Sequence, residues 1–216
     1  MKTEIPEIRR YFKEQLKKEN FVIDKTGVKT IELLGASFIA DENTIFGKPN
    51  EEYLKKELNW YNSMSRNVHD IEEPVPEIWK NISSKAGEIN SNYGWCAYSE
   101  ENGFQFSNVL EHLVKDENTR RASMIYTRPE MHVDYCKDGM SDFMCTHVVD
   151  YMIRDDKLHC VVYMRSNDVV FGYRNDWYWQ KHVLDSLSKL LGIESGDIHW
   201  NASSLHVYER HFNLIV

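Results

Sequence analysis

Apolar residues recur every three or four positions in four segments of the chain, which is the spacing of one helix face. These segments predict helices over residues 4–19, 51–64, 106–116 and 176–191. Asn50 is placed to cap the second helix, and Gly192 to end the fourth. Residues 67–92 hold two prolines and a pair of serines, which indicates loop with short helical pieces.

Runs of β-branched and other apolar residues predict strands over residues 28–40, 121–127 and 203–215. Residues 145–154 and 158–164 predict a hairpin around Asp155-Asp156-Lys157, and residues 129–142 predict an irregular connection. Because helices and strands do not alternate regularly, the pattern favours an α+β fold.

Length, charge and cysteine content narrow the class of protein. The 216 residues suit one domain, predicted to span residues 1–216. The formal net charge of -8 argues against nucleic-acid binding driven by overall charge, and a small anionic substrate would need a local arginine cluster. The four cysteines form no C-x-x-C pair, and no segment has the pattern of a signal or transmembrane helix. We therefore expect a cytoplasmic protein with free thiols and no membrane partner.

One cysteine stands in a context that changes its interpretation. Cys145 lies in the run Met140-Ser141-Asp142-Phe143-Met144-Cys145-Thr146-His147, and about twenty residues later comes Arg165-Ser166-Asn167-Asp168-Val169. A lone cysteine on a strand is more often a small buried hydrophobe. A thiol, an arginine and a carboxylate on neighbouring strands can instead perform covalent chemistry on an anionic substrate.

Six segments, the Arg165 run among them, occur in the order found in one enzyme family. The other five are Asp24-Lys25-Thr26-Gly27, Glu57-Leu58-Asn59-Trp60-Tyr61, Asn92-Tyr93-Gly94, Thr119-Arg120-Arg121 and Leu205-His206-Val207-Tyr208. Together with Cys145 they resemble the thymidylate synthase family, and within it the deoxycytidylate hydroxymethylases of T-even phages. The resemblance covers residues 24–212. It implies a thymidylate-synthase-like mixed sheet with flanking helices, with one sheet face at a dimer interface.

The resemblance makes Cys145 the catalytic nucleophile. A pyrimidine is a poor nucleophile at C5, and addition of a thiolate at C6 turns C5 into an enamine-type carbon. The thiol therefore needs a lowered pKa or a cationic neighbour, and the resemblance implies Arg165 for that role. An arginine fork also suits phosphate. The alternative for Arg165 is a surface ion pair.

The resemblance also implies the other phosphate ligands. Ser166 and Lys25 would join Arg165, with Lys25 acting as a point charge where the family usually has an arginine. Arg120 and Arg121 would lie on a strand and reach across a homodimer interface to the partner's nucleotide. Their alternative is a solvated charge pair.

Two more residues are implied in catalysis. Glu57 lies beside the apolar stripe of its helix, and the resemblance implies that it orders water and relays protons at the pyrimidine. By composition alone, a surface glutamate is the better interpretation. Tyr93 is implied as a catalytic residue by its place in the tyrosine-glycine turn.

Asp176 is the position that discriminates between bases. Family members that methylate deoxyuridylate carry an asparagine here, whereas an aspartate accepts from the N4 amino group of cytosine. A second bond forms if either the acid or N3 carries a proton. One alternative is an N-cap for the following helix. Another is a shift by one residue to Asn175, which would reverse the base preference.

The remaining implied residues bind the folate and the sugar. Trp79, Asp168, Phe171 and Gly172 resemble the folate-facing wall, where aromatic rings would stack on a pterin, although a core role is as good an interpretation for Trp79. His206 and Tyr208 resemble the pair that holds the sugar 3′-hydroxyl. The histidines show no metal-ligand spacing, and we expect no metal.

The expected reaction is hydroxymethylation of C5 of deoxycytidine monophosphate (dCMP), with 5,10-methylenetetrahydrofolate as one-carbon donor. One alternative is a pyrimidine methyltransferase with the same covalent steps. The other is a non-catalytic homologue that acts by binding. It is supported by Asp150, where the family usually has glutamine, and by a chain end four residues after Phe212. If the chain is phage-encoded, we expect it in the host cytoplasm.

Overall fold

The computed structural model describes residues 3–24 and 27–215, so Lys25 lies outside the described residues. The helices in this part of the chain are α1 (Ile5–Lys17), α2 (Glu51–Ser63), α3 (Glu77–Ile82), α4 (Tyr93–Tyr98), α5 (Gln105–Lys115), α6 (Met131–Asp134) and α7 (Gly172–Leu191). The strands are β1 (Val22–Ile23), β2 (Lys29–Ile39), β3 (Ser123–Ile125), β4 (Thr146–Arg154), β5 (Lys157–Asp168) and β6 (Glu194–Tyr208). Short 3₁₀ segments cover Val68–Asp70, Lys137–Gly139 and Glu209–Leu214.

The strands form a mixed six-stranded sheet in the order β1-β2-β6-β5-β4-β3. Strand β2 pairs antiparallel with β1 and β6, β3 pairs antiparallel with β4, and β5 pairs parallel with β6. Helix α7 joins the parallel pair, because parallel neighbours need a long crossover connection. The predicted α+β class is confirmed.

The chain divides into two compact units, Met1–Pro49 with Tyr151–Val216, and Asn50–Asp150. The prediction of one domain over residues 1–216 stays a prediction. No helix in the described residues is long and apolar enough to cross a membrane.

In the first unit, α1 packs on β2, and α7 packs on β5 and β6. Ile8 and Phe12 are buried on α1, as are Trp179 and Val183 on α7. These residues recur at helical spacing, which is why the sequence pattern located both helices. Fully burying each aliphatic or aromatic side chain stabilises the fold by roughly 1.5–3 kcal/mol.

In the second unit, α2 packs against α4, and α4 against α5. Asn50 caps α2, since its side chain accepts from the Tyr53 N–H at 3.1 Å. Gly94 lets α4 approach α2 closely, because a Cβ at this position would lie 1.8 Å from the Tyr61 carbonyl oxygen. Asn92 fixes the same junction by donating to Trp60 O at 3.1 Å and accepting from Trp95 N at 2.8 Å.

Several predicted element boundaries are wrong. Helix α7 begins at Gly172 rather than at Asp176, and β6 ends at Tyr208, where the chain turns into a 3₁₀ segment. The predicted strand over residues 121–127 shortens to β3. The six-residue helix α4 was not predicted, because it is too short to show a helical period.

Candidate active site

Cys145 lies immediately before β4 and is half-buried. Its Sγ lies 4.0 Å from the Phe143 carbonyl oxygen. Burial raises the pKa of Cys96 to about 12 and also raises the pKa of Cys160, so both stay protonated thiols near neutral pH. Cys136 is exposed. Among the four free cysteines, Cys145 is the half-buried one. A nucleophilic cysteine is usually partly exposed, as Cys145 is.

Tyr93 is brought to the residue that follows Cys145. Tyr93 is 4% exposed, and its hydroxyl oxygen accepts from Thr146 Oγ1 at 3.0 Å. Thr146 is fully buried as the first residue of β4. The hydrogen bond between the two hydroxyls thus connects the start of α4 to the start of β4, one residue after Cys145.

Glu57 is buried on α2, with 3% of its surface exposed, so the surface-glutamate alternative does not hold. Its Oε1 accepts from the Tyr53 hydroxyl at 2.5 Å, and the Tyr53 oxygen accepts from Trp79 Nε1 at 2.8 Å. Burial, and then the charge of Glu57, raise the pKa of Tyr53, so its hydroxyl remains a donor. Two successive hydrogen bonds therefore link Trp79 to Glu57 through the Tyr53 hydroxyl.

Trp79 makes both an apolar and a polar contact within the second unit. It is half-buried and packs edge-on against Trp60 with ring centroids 5.1 Å apart, as a core residue would. It also donates the hydrogen bond to Tyr53. Its predicted place in a folate-facing wall stays a prediction.

Arg120 and Arg121 precede β3 and are exposed. The expectation that they lie on a strand is wrong, since that strand begins only at Ser123. Their exposure agrees with the alternative of a solvated charge pair, and their reach across a dimer interface stays a prediction.

The predicted phosphate and folate residues of the first unit lie at one end of β5. The last four residues of this strand include three half-buried ones, Arg165, Ser166 and Asp168. Asp168 pairs with His206 of β6. Asp168 Oδ1 accepts from the backbone N–H groups of Val170 at 3.0 Å and Phe171 at 2.6 Å. These bonds shape the turn from β5 into α7.

Asp168 Oδ2, the other oxygen of this carboxylate, is buried and has no hydrogen-bond partner in the described residues. Phe171 is 43% exposed beside it, with the Arg174 guanidinium 4.5 Å from its ring centroid. An unsatisfied acceptor next to an exposed ring suits a planar ligand that carries N–H groups.

His206 is buried, and burial lowers its pKa, while the charge of Asp168 opposes the shift. Its ring packs edge-on against Tyr208, with centroids 4.9 Å apart. The structure therefore brings together the two residues predicted to hold a sugar hydroxyl.

Asp176 lies in the second turn of α7, so the N-cap alternative is wrong. Asn167 Nδ2 donates to Asp176 Oδ2 at 2.7 Å. Gly172 lies next to this contact, with a position for Cβ only 3.4 Å from Asn167 Nδ2. No helical or strand period links Asn167 to Asp176, so this contact was not predicted. Tyr53 was not predicted either, although it stands one helical turn before Glu57.

Two polar features bear on other expectations. Asp150 accepts from Ser123 Oγ at 2.6 Å, so this acid is paired. Ligand atoms of His159, Asp197 and His199 lie within 4.8 Å of one another, which sequence spacing did not indicate. However, the Asp197 N–H donates to His159 Nδ1 at 2.9 Å, which occupies a lone pair that a metal would need. The absence of a metal stays a prediction.

Comparison with known proteins tests the resemblance. Residues 10–216 match the family model described as thymidylate synthase. The chain belongs to the thymidylate synthase family. It is 55% identical over 218 aligned residues to the deoxycytidylate 5-hydroxymethyltransferase of Enterobacteria phage T4, covering 98% of this chain and 89% of that protein. The phage T6 protein of the same name gives the same values. The thymidylate synthase of Buchnera aphidicola subsp. Schizaphis graminum is 25% identical, covering 94% of this chain and 78% of that protein.

The family relationship covers nearly the whole chain, including the candidate site. The two phage relatives and the more distant Buchnera relative cover most of the chain, so the resemblance first seen in six short segments extends between them. The family model also covers Glu57, Cys145 and Asp176 in one match.

Proposed function

We propose that the protein converts dCMP, 5,10-methylenetetrahydrofolate and water to 5-hydroxymethyl-dCMP and tetrahydrofolate. The 55% identity to phage proteins named deoxycytidylate 5-hydroxymethyltransferase supports the reaction. The structural observation that carries the choice of base is the side chain of Asp176, whose Oδ2 accepts from Asn167. A carboxylate held as an acceptor complements the N4 amino group of cytosine.

Cys145 is the proposed nucleophile. Its thiolate adds to C6 of the pyrimidine, which makes C5 nucleophilic, and it leaves when the ring regains its double bond. The half-buried position of Cys145, against the raised pKa values of buried Cys96 and Cys160, supports this assignment. The role of Arg165 as the cation that stabilises the thiolate stays a prediction.

Glu57 is the proposed group for water and proton transfer at the pyrimidine. Its burial and its short hydrogen bond from Tyr53 support a carboxylate held in one orientation. Tyr93 is proposed to assist through the hydroxyl pair that it forms with Thr146.

The residues at the end of β5 fit a reduced folate. The unsatisfied Asp168 Oδ2 is an acceptor for N–H groups of a pterin, and exposed Phe171 offers a stacking surface. Gly172 is proposed to belong to the same wall. Trp79 is proposed to supply a further aromatic ring for the pterin. When bound, the folate supplies the one-carbon unit that C5 captures.

Arg165 and Ser166 are proposed to bind the nucleotide phosphate, with Lys25 and with Arg120 and Arg121 of a second subunit. His206 and Tyr208 are proposed to hold the sugar 3′-hydroxyl. The active unit would then be a homodimer. Exposure of both arginines supports it, as do the exposed apolar side chains of Leu34 (72%) on β2 and Tyr163 (39%) on β5.

The decisive experiment incubates the protein with the folate and each pyrimidine monophosphate, followed by mass analysis of the nucleotide. We expect a gain of one hydroxymethyl group on dCMP. A pyrimidine methyltransferase would add a methyl group and produce dihydrofolate, which is seen by absorbance. A binding homologue would leave every nucleotide unchanged, but the pairing of Asp150 with Ser123 removes one of its two supports. We place the reaction in the cytoplasm of a phage-infected host.

A further inference from the structure

Asp176 is held by a neighbour to which no motif assigned a role. Asn167, next to the last residue of β5, is 3% exposed, and its Nδ2 donates to Asp176 Oδ2 at 2.7 Å. A hydrogen bond to an ionised group is among the strongest in proteins. The contact therefore fixes how Asp176 presents its oxygens.

The Asn167 amide presents a donor, and not its carbonyl, to Asp176. Its Oδ1 is buried and has no hydrogen-bond partner among the residues that the structure describes. Rotation of the amide would turn Oδ1 towards Asp176, an arrangement that suits only a protonated acid. Leaving a buried carbonyl unsatisfied is costly, and the donor contact to an ionised Asp176 offsets that cost. The arrangement thus fits a carboxylate that accepts at Oδ2.

Gly172 lies against this contact. A Cβ at position 172 would lie 3.4 Å from both Asn167 Nδ2 and Asp168 Cβ, and 3.9 Å from Asp176 Oδ2. These distances are ordinary van der Waals contacts, so the backbone at Gly172 packs directly against the Asn167–Asp176 pair. The end of β5 and the start of α7 therefore form one packed support for Asp176.

We propose that Asn167 is a specificity-determining residue that holds Asp176 as an acceptor for the exocyclic amino group of a cytosine base. This inference rests on the proposed function. A carboxylate accepts from the N4 amino group of cytosine, and its second oxygen also accepts from N3 when N3 carries a proton. Uracil offers such a carboxylate one donor, N3–H, and sets the O4 lone pairs against its other oxygen, so two fixed acceptor oxygens favour cytosine. Asn167 acts through Asp176 and is a positioning residue.

The test measures equilibrium binding of dCMP and dUMP to the full chain, with two substitutions. Asn167→Ala removes the donor, and Asn167→Asp keeps the shape but sets one acceptor against another. We expect the preference for dCMP over dUMP to fall about tenfold with Asn167→Ala, and further with Asn167→Asp. A role in packing alone predicts the reverse order, because aspartate is nearly isosteric with asparagine and alanine leaves a cavity.

Asn102→Asp is the matched control. The Asn102 amide donates to neutral acceptors, Trp95 O at 3.2 Å and Ser99 Oγ at 2.9 Å, so its loss should leave the base preference unchanged. A second background covers the case in which Asn167→Asp does not fold. With Asp176→Ala already present, adding Asn167→Ala should no longer change the dCMP-to-dUMP ratio.

The outcomes separate this inference from the reaction itself. A wild-type ratio in Asn167→Asp, or a further tenfold change in the Asp176→Ala background, overturns the role of Asn167. A wild-type protein that prefers dCMP but forms no product contradicts the proposed reaction, while the binding comparison still decides on Asn167. A wild-type protein without base preference overturns the role of Asn167 and the assignment of Asp176 together.

Discussion

The hydroxyl of Tyr53 donates to the buried carboxylate of Glu57 at 2.5 Å. The same hydroxyl oxygen accepts from Trp79 Nε1 at 2.8 Å, so the Tyr53 hydroxyl is both a donor and an acceptor. Because the pKa of Tyr53 is raised, its proton stays on the tyrosine, and Glu57 stays the acceptor. The proposed base is therefore held in one orientation before substrate binds.

Replacing Tyr53 with phenylalanine should lower kcat about tenfold, because Glu57 loses a charge-assisted hydrogen bond. The KM for dCMP should change little, since the tyrosine is proposed to act on proton transfer and not on nucleotide binding. Steady-state kinetics measure both values. Tyr11→Phe is the control, because the Tyr11 hydroxyl donates only to the Glu32 carbonyl, at 3.0 Å, and its loss should not change kcat. Equal kcat values for the two variants would contradict the role of Tyr53.

Replacing Cys145 with alanine should abolish turnover, because it removes the proposed nucleophile, and the raised pKa values of buried Cys96 and Cys160 keep their thiols protonated. Product formation is followed by mass analysis. Cys136→Ala is the matched control, since Cys136 is exposed and has no proposed role, and it should keep full activity. Full activity in Cys145→Ala would show that the covalent adduct is not formed at this residue.

Gly94→Ala should destabilise the protein by about 3 kcal/mol, because its Cβ would lie 1.8 Å from the Tyr61 carbonyl and α4 would have to move away from α2. Urea unfolding measures the free energy. Gly192→Ala is the control. It meets nothing within 4 Å and incurs only the cost of a left-handed residue, roughly 1 kcal/mol. Similar losses in the two variants would mean that the close approach of the helices is not what requires Gly94.

The pH dependence of stability should carry a contribution from His206. Burial lowers its pKa in the folded protein, so the unfolded chain binds the proton more readily. The free energy of unfolding should therefore fall as pH drops below about 6.5, the ordinary histidine value. Urea unfolding at pH 7 and pH 5.5 measures the decrease, and it should be smaller in His206→Asn. An unchanged decrease in that variant would assign the pH dependence to other groups.

The proposed crossing of the arginines can be tested by mixing two inactive variants, Cys145→Ala and Arg121→Ala. After subunit exchange, half of the dimers are mixed, and each mixed dimer contains one site with both an intact cysteine and an intact arginine. About a quarter of the wild-type activity should return. If Arg121 serves its own subunit, every site stays defective and the mixture remains inactive.

Local pattern predicted the elements that are long and periodic. Helices α1 and α2 were predicted from apolar residues at helical spacing. Strand β2 was predicted because residues 28–40 are rich in β-branched and apolar residues. The start of α7 was missed because it is set by Asp168, whose Oδ1 binds the backbone of the following turn, and not by a cap residue with the usual side-chain bond.

The candidate site shows the same limit. Cys145, Glu57 and Asp176 could be named from the sequence because they stand in recognisable motifs. Their supports could not, since the bond from Asn167 to Asp176 joins a strand to a helix, and the Trp79 contact with Tyr53 spans 26 residues. Such contacts follow from packing, which a single sequence does not display.

The most direct test of the central claim is the mass of the nucleotide after incubation of the wild-type protein with 5,10-methylenetetrahydrofolate and an equal mixture of dCMP and dUMP. The account predicts that dCMP gains one hydroxymethyl group while dUMP is unchanged, with no dihydrofolate formed. A methyl group on dUMP, accompanied by dihydrofolate, would contradict both the base assigned to Asp176 and the proposed reaction.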